Sequence, residues 1–229
     1  MEQDKKLYNF IDDWISKQSN QEKNIKIIGL TGYDCSGKST LATKLINKYN
    51  FVEFTFATIL KKVVSLLTDI DVINLERENK EKMKDPITDL TIREYFCKMG
   101  TLFRNNFGLD FWIKQVTKQI DKLLLSKKIV NGIIISDFRF KNEFEWLANN
   151  YKNSLLITVD NIPKIVTTIN MPLIIKSDEY CTMSTTSPTV INNLLLSKGD
   201  NNIRKYEIEE GIKYFGQTIG ENQIYHYCW

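Results

Sequence analysis

The sequence of 229 residues contains a single histidine, and its cysteines are widely separated along the chain. His226 lies three residues from the end, so a Ser-His or Cys-His catalytic pair would have to draw on a terminal residue, and we expect none. The cysteines form no C-x-x-C pair and have no histidine placed to share a metal with them, which argues against a disulfide scaffold and a structural zinc site. A reducing compartment is expected. The four cysteines are Cys35, Cys97, Cys181 and Cys228.

Long apolar runs and concentrated positive charge are also missing. No segment approaches the roughly 20 apolar residues of a membrane-spanning helix, and the opening residues MEQDKK lack the apolar stretch of a signal peptide. The net charge is only +3, which is far from the basic surface of a protein that holds nucleic acid through many phosphates. We therefore expect a cytoplasmic protein that acts on small molecules, with neither a nucleic acid nor a membrane as partner.

Strand and helix patterns alternate along the first two thirds of the chain. This alternation predicts an α/β fold with an open parallel sheet flanked by helices. The continuous apolar run around Ile133, Ile134 and Ile135 is typical of a central strand covered on both faces. The predicted helices are Leu7–Ile15, Leu41–Ile46, Ile59–Leu67, Ile92–Phe103, Phe111–Leu125 and Asn142–Tyr151, and the predicted strands are Ile25–Leu30, Phe51–Phe56, Val130–Ser136 and Leu155–Val159.

Two stretches give weaker patterns. Residues Glu76–Lys84 are highly charged, which indicates a solvated helical arm. Beyond Asp160 three prolines interrupt a Ser/Thr-rich region, and the last thirty or so residues show no clear period.

A phosphate-binding loop follows the first predicted strand and precedes the next helix. Gly32-Tyr33-Asp34-Cys35-Ser36-Gly37-Lys38-Ser39 matches the G-x-x-x-x-G-K-[ST] pattern in the context that its mechanism requires. The glycines let the backbone bend so that successive N–H groups point at phosphate oxygens at the positive end of the helix. The loop predicts a bound nucleotide, held by Gly32, Asp34, Ser36, Gly37, Lys38, Ser39 and Thr40, but it does not decide the reaction, because ATPases, GTPases, kinases and passive nucleotide-binding modules all use such a loop.

The chemistry of the loop implies Mg²⁺ as a second cofactor. Lys38 supplies charge to the β- and γ-phosphates, and the Ser39 hydroxyl is suited to ligate the Mg²⁺ that bridges them. Asp137, at the end of the isoleucine-rich strand, is the second candidate metal ligand, although aspartate also favours helix starts and a capping role stays open. A GTPase is disfavoured because Asn47-Lys48 and Asn79-Lys80 lack the aspartate of an N-K-x-D guanine reader.

Three further blocks carry a family resemblance. They are Phe56-Ala57-x-x-Leu60-Lys61, then Arg93 with Lys98-x-Gly100-Thr101-x-x-Arg104-Asn105-x-Phe107-Gly108-x-Asp110-x-Trp112, then Ile135-Ser136-Asp137-x-Arg139-Phe140-x-Asn142-Glu143. In order and spacing they resemble the bacteriophage-type deoxynucleoside monophosphate kinases from about Ile25 to Val159. The resemblance implies an adenylate-kinase-like P-loop fold and phosphate transfer from ATP to a deoxynucleoside monophosphate.

The same resemblance implies roles for individual residues. Arg104 and Arg139 are assigned to phosphate groups, with Lys61 and Arg93 beside the acceptor. Guanidinium groups suit this task because charge develops on the oxygens of the transferring phosphoryl group, and Lys38, Asp137, Arg139 and Arg104 are the catalytic candidates. Asp110 and Trp112 are candidates to position the acceptor. Asp110 could equally cap the helix that starts there, and Trp112 could equally be a core residue. Glu143 is expected to pair with Arg139 or Lys141.

We expect one P-loop kinase domain over residues 1–229, with a core of about 24–160 and a helical acceptor-binding region within 57–126. Two other functions stay open: a kinase for another phosphorylated metabolite such as phosphomevalonate, and a non-catalytic nucleotide-binding module. A homodimer through the exposed faces of the two central helices is a further hypothesis.

Residues 161–229 diverge from the family pattern and include a candidate lid, whose basic residues would be Lys176 or Arg204. If Arg204 closes over ATP, Arg204→Ala should raise the KM for ATP while the KM for the acceptor stays constant. Steady-state kinetics with each substrate varied in turn would check this, and an unchanged KM for ATP would reject Arg204.

Overall fold

A computed structural model describes residues 2–18, 25–33, 36–75, 82–126, 130–160, 206–220 and 223–228. Its helices and strands follow the predicted order through β4. The helices are α1 (Glu2–Gln18), α2 (Lys38–Tyr49), α3 (Ala57–Thr68), α4 (Ile92–Phe107), α5 (Phe111–Leu125), α6 (Lys141–Asn150) and α7 (206–219), with a 3₁₀ turn at Val72–Leu75; the strands are β1 (Ile27–Thr31), β2 (Phe51–Phe54), β3 (Gly132–Phe138), β4 (Ser154–Asp160) and β5 (Ile224–Cys228).

The five strands form one parallel sheet in the order β2-β3-β1-β4-β5. The central strand β1 pairs with β3 on one side and β4 on the other, and all five of its residues are buried. Helices cover both faces, which explains why β1, β3 and β4 are almost continuously apolar. The predicted α/β fold with an open parallel sheet is confirmed.

Each face of the sheet has its own hydrophobic layer. On one face, Leu7 and Ile11 of α1 and Leu41 of α2 pack against Ile28 and Leu30 of β1. The amphipathic pattern of the first helix therefore does cover the sheet, as its period predicted. The opposite layer is built from α5, α6 and α7 and includes Trp112, Val116, Phe144, Leu147 and Phe215.

In the part of the chain that the structure describes, none of the helices combines the length and the apolar composition of a membrane span.

Several predicted boundaries were wrong by a few residues, among them the ends of α1, α2 and β3, and two of the differences affect how the site is connected. Strand β2 ends at Phe54, because Thr55 and Phe56 turn into α3. Helix α4 continues through Phe107, so the connection to α5 is shorter than predicted and begins at Gly108, whose φ of 97° favours glycine. The start of α4 is fixed by a capping box in which Thr91 and Glu94 exchange backbone and side-chain hydrogen bonds.

The absence of a clear period near the end of the chain was a wrong prediction. Residues Ile208, Ile212, Phe215 and Ile219 recur at helical spacing on α7, and β5 extends the sheet beyond β4. Most of the predicted charged arm, residues 76–81, lies outside the described residues; within it, Lys84 forms an antiparallel bridge with Thr91. The lid candidates Lys176 and Arg204 also lie outside the described residues.

Gly211 provides a test of how α7 packs on the core. A Cβ at this position would lie 2.2 Å from Cδ2 of the buried Phe144 ring. We expect Gly211→Ala to destabilise the protein by about 1–3 kcal/mol through overpacking, even though alanine favours helix formation. Urea unfolding would measure the change.

The matched control is Gly100→Ala in α4. Its added Cβ would meet only Leu60 Cδ2 at 3.6 Å, an ordinary contact. This variant should be neutral or more stable by up to about 1 kcal/mol. Equal effects of the two substitutions would contradict the close packing of α7 against α6.

Candidate active site

The candidate site lies where β1, β3 and β4 end. Because the strands are parallel, their carboxyl ends meet at one edge of the sheet. Strand β1 is central: β2 and β3 lie on one side of it, and β4 and β5 lie on the other. Ligands of open α/β sheets bind in the crevice outside such an edge. The glycine-rich loop follows β1, Asp137 lies near the end of β3 and Asp160 ends β4.

The two glycines of the glycine-rich loop have backbone conformations that suit a phosphate-binding loop. Gly32 has a φ of 143°, and a Cβ there would lie 2.2 Å from the Val159 carbonyl oxygen, so a side chain would have no room. Gly37, with a φ of 94°, precedes α2 and directs the loop into its amino terminus. These residues fit a bound polyphosphate.

The polar residues of the loop are described except for Asp34, which lies outside the described residues. Lys38 donates hydrogen bonds from Nζ to the carbonyl oxygens of Gly32, at 2.8 Å, and Tyr33. Its Nζ is also 3.4 Å from the buried Ser36 hydroxyl. Ser39 and Thr40 are exposed in the first turn of α2. The Ser39 hydroxyl therefore has the chemistry and the access that a magnesium ligand needs.

Asp137 caps helix α3. Its two carboxylate oxygens accept hydrogen bonds from the backbone N–H groups of Phe56, at 2.8 Å, and Ala57, at 2.9 Å. Burial raises the pKa of Asp137, while these N–H groups and the positive charges of Arg139 and Lys61 oppose the rise. The capping role left open by the sequence is thus present, for a helix distant in sequence, and the role in binding Mg²⁺ stays a prediction.

Arg104 reaches from α4 to the start of α6. Its Nη2 atom is 3.3 Å from Oε1 of Glu143, and its guanidinium carbon lies 3.3 Å from the centre of the Phe140 ring. The other carboxylate oxygen of Glu143 accepts from the backbone N–H groups of Arg139, at 2.7 Å, and Phe140, at 3.0 Å. Glu143 therefore brings Arg104 and the backbone of Arg139 together.

The predicted ion-pair partners of Glu143 need correction. Its side-chain partner is Arg104, and the hydrogen bond it accepts from Arg139 comes from the backbone. Lys141 instead lies 3.9 Å from Glu145, one helical turn further along α6. Arg104 was not foreseen as the partner because it is distant in sequence and reaches Glu143 only through the packing of α4 near α6.

Comparison with known proteins identifies the family. No family model matches the chain. A protein of Acanthamoeba polyphaga mimivirus named "Putative deoxynucleotide monophosphate kinase" is 32% identical over 132 residues, which cover 53% of this chain and 67% of that protein. The chain belongs to the deoxynucleotide monophosphate kinase family. It is therefore a kinase with a nucleotide-binding fold, which confirms the family expected from the sequence blocks.

The remaining predicted acceptor residues of this kinase lie in different surroundings. Trp112 is 3% exposed, donates its indole N–H to the Gly100 carbonyl oxygen and packs in the core, which is one of its two predicted roles. Asp110 is exposed at the start of α5, makes no side-chain cap there and accepts from the Asn142 amide at 2.9 Å. Arg93 is in the first turn of α4, on the order of 16 Å along the helix axis from Arg104.

The kinase also has polar contacts near this edge that the sequence did not predict. The Ser136 hydroxyl donates to Glu53 across β3 and β2. Glu207 of α7 accepts from the Lys141 backbone N–H at 2.8 Å, at the start of α6. The helical period of α7 was the one available signal for this contact, and it was missed. The C-terminal helix is therefore joined to the segment that carries Arg139 and Glu143.

The pKa of Glu143 predicts a pH dependence of stability. Burial raises this pKa from its ordinary 4.5 to about 7, and Asp137 adds to the rise, whereas Arg104 and the backbone N–H groups oppose it. Between these two pH values the folded protein holds a proton that the unfolded chain has released. Glu143 should therefore weaken folding as pH rises through this window, by up to about 1.4 kcal/mol per pH unit.

Urea unfolding of the wild type and Glu143→Gln across that window would measure the effect. The wild-type free energy of unfolding should fall with pH more steeply than that of the variant. Glu145→Gln, at a half-buried position on the same helix, should keep the wild-type slope. Parallel curves for the wild type and Glu143→Gln would show that Glu143 titrates normally.

Proposed function

We propose that the chain transfers the γ-phosphate of ATP to a deoxynucleoside 5′-monophosphate and releases ADP and the deoxynucleoside diphosphate. The proposal rests on two sets of groups suited to bind phosphate, which meet at one edge of the sheet. A glycine-rich loop with Lys38 follows β1, and the turn that carries Arg139 follows the adjacent β3 and is joined to Arg104 through Glu143. The mimivirus relative, named for the same class of activity, supports the choice of acceptor.

The donor side is the loop between β1 and α2. Its backbone N–H groups, together with the amino terminus of α2, would hold the β- and γ-phosphates of ATP. Lys38 would move from the loop carbonyls that now accept its hydrogen bonds to the phosphate oxygens, where a full negative charge binds an ammonium group more strongly. The Ser39 hydroxyl, with Asp137 through water, would hold Mg²⁺, which neutralises charge on the donor phosphates when bound.

The acceptor side contains the arginines. Arg104 and Arg139 would hold phosphate oxygens of the acceptor and of the transferring group, with Lys61 nearby on α3 and Arg93 and Asp110 at the margins. Planar guanidinium groups can hold two oxygens at once and so align the acceptor with the donor. A general base is not needed, because the attacking oxygen of a nucleoside monophosphate is already an anion.

The core and the acceptor region are assigned to different ranges of the chain. We propose that the sheet and its flanking helices, within residues 24–160, form the catalytic core and that 57–126 hold the acceptor. Strand β5 pairs with β4 at the edge of the sheet, and α7 packs on one face of that sheet. The described part of the C-terminal region therefore contributes to the core, whether or not another part of it forms a lid. The homodimer stays a hypothesis: the outer face of α5 is polar, with exposed Lys114, Lys118 and Lys122.

The proposal can be tested by ADP production with Mg-ATP and a panel of acceptors. The panel would hold the four common deoxynucleoside monophosphates, their hydroxymethylated relatives, ribonucleotides and phosphomevalonate. Turnover with one or more deoxynucleotides is expected. Turnover with phosphomevalonate alone would indicate the other kinase function, and ATP binding without acceptor-dependent turnover would indicate a non-catalytic module.

Lys38→Ala should lower kcat by several powers of ten, because it removes a positive charge at the transferring phosphate. The fold should persist, which circular dichroism and urea unfolding would verify. Lys48→Ala is the matched control, since Lys48 lies near the far end of α2 and contacts Tyr8 instead. Full activity in Lys38→Ala would reject the loop as the donor site.

A further inference from the structure

Glu143 is a buried carboxylate that contacts both α4 and the turn after β3. It is 2% exposed in the first turn of α6. One oxygen is 3.3 Å from Nη2 of Arg104, and the other accepts the backbone N–H groups of Arg139 and Phe140. A single side chain is thus bonded both to α4 and to the turn after β3.

Arg104 is held on a second side by the ring of Phe140, 3.3 Å from the guanidinium carbon. A guanidinium group is planar, and its donors point in fixed directions within that plane. A carboxylate at one terminal nitrogen and an aromatic ring against one face therefore fix the direction of the whole group. Both contacts come from the same turn, because Phe140 and Glu143 are three residues apart.

A purely stabilising role explains these contacts less well. Burial disfavours the charged form of Glu143, and a buried ion pair seldom adds more stability than a well-packed apolar pair of similar volume. Capping of the turn needs only the oxygen that accepts the two backbone N–H groups. The second oxygen adds a contact with Arg104 and so joins Arg104 to the turn that carries Arg139.

We propose that Glu143 is a positioning residue that holds Arg104 and the Arg139 turn at the spacing required to bind the acceptor phosphate and the transferring phosphoryl group. The proposal rests on the kinase function proposed above. Glu143 does not itself touch substrate; it acts through the two arginines. The geometry that it fixes is the kind of preorganisation on which phosphoryl transfer depends.

Glu143→Gln is the direct test. The amide oxygen can keep the backbone hydrogen bonds, but the amide nitrogen then faces Arg104 as a second donor and the hold on the guanidinium is lost. We expect kcat/KM for the acceptor to fall by about tenfold to a hundredfold, while the KM for ATP stays near the wild-type value. Glu145 lies on the same helix and, among the described residues, forms an ion pair with Lys141 alone, at 3.9 Å, so Glu145→Gln should match the wild type in both.

A double-mutant cycle shows whether Glu143 acts through Arg104. In the Arg104→Ala background, Glu143→Gln should lower acceptor kcat/KM by no more than about twofold to threefold, because the group that it orients is gone. If the two losses multiply instead, or if Glu143→Gln raises the KM for ATP as much as that for the acceptor, the positioning role is overturned.

A second variant covers the case in which Glu143→Gln fails to fold. Phe140→Leu removes the ring from the face of Arg104 and leaves Glu143 in place. It should also raise the acceptor KM selectively, and an unchanged KM would overturn the proposal. If the wild type phosphorylates no deoxynucleotide, the proposed function itself fails; if the wild type is active and the variants equal it, only the role of Glu143 fails.

Discussion

The pairing of β1 with β3 on one side and β4 on the other determines where the parts of the candidate site lie. Gly29, in the middle of β1, lies opposite Ile135 on β3 and Leu156 on β4, and a Cβ there would be 3.0 Å from the Phe138 ring and 3.2 Å from Leu147 and Leu156. The missing side chain lets β3 and α6 pack closely against β1. The Thr31 hydroxyl then donates to the Phe138 carbonyl oxygen at 3.1 Å, where the register shifts. The glycine-rich loop and the Arg139 turn begin just beyond this hydrogen bond, so their separation follows from how the strands pair.

Two buried carboxylates order the candidate site, and their burial costs free energy of folding. Asp137 and Glu143 both lie in surroundings that raise their pKa values, and both are balanced by backbone N–H groups and by nearby arginines. Asp137 fixes the start of α3, which carries Lys61, and Glu143 fixes Arg104 relative to Arg139. The two carboxylates thus join α3 and α4, the helices of the proposed acceptor region, to the end of one strand, β3. Such buried charges are retained more readily for what they position than for the stability they add.

Local patterns predicted most of the fold, because the period of apolar residues determines which segments form helices and which form buried strands. The glycine-rich loop was identified by its spacing and by its place between a strand and a helix. Contacts between residues far apart in the sequence could not be predicted in this way. Asp137 caps a helix that starts some eighty residues earlier, at Ala57, and the partner of Glu143 is 39 residues away. These pairings follow from the strand order and from the packing of α4 near α6, which a local pattern does not contain. Helix α7 has a readable period, but β5 is short and is defined by its pairing with β4.

We propose that the loop after β1 and the arginines beside it work as one site that passes a phosphoryl group between two nucleotides. The most direct measurement follows a radiolabel from the γ-position of ATP in the presence of Mg²⁺ and each deoxynucleoside monophosphate, with products separated by chromatography. If the proposed reaction takes place, the label should appear in a deoxynucleoside diphosphate, in proportion to the ADP formed. Label that appears only in inorganic phosphate, or that stays in ATP with every acceptor, would contradict the proposal.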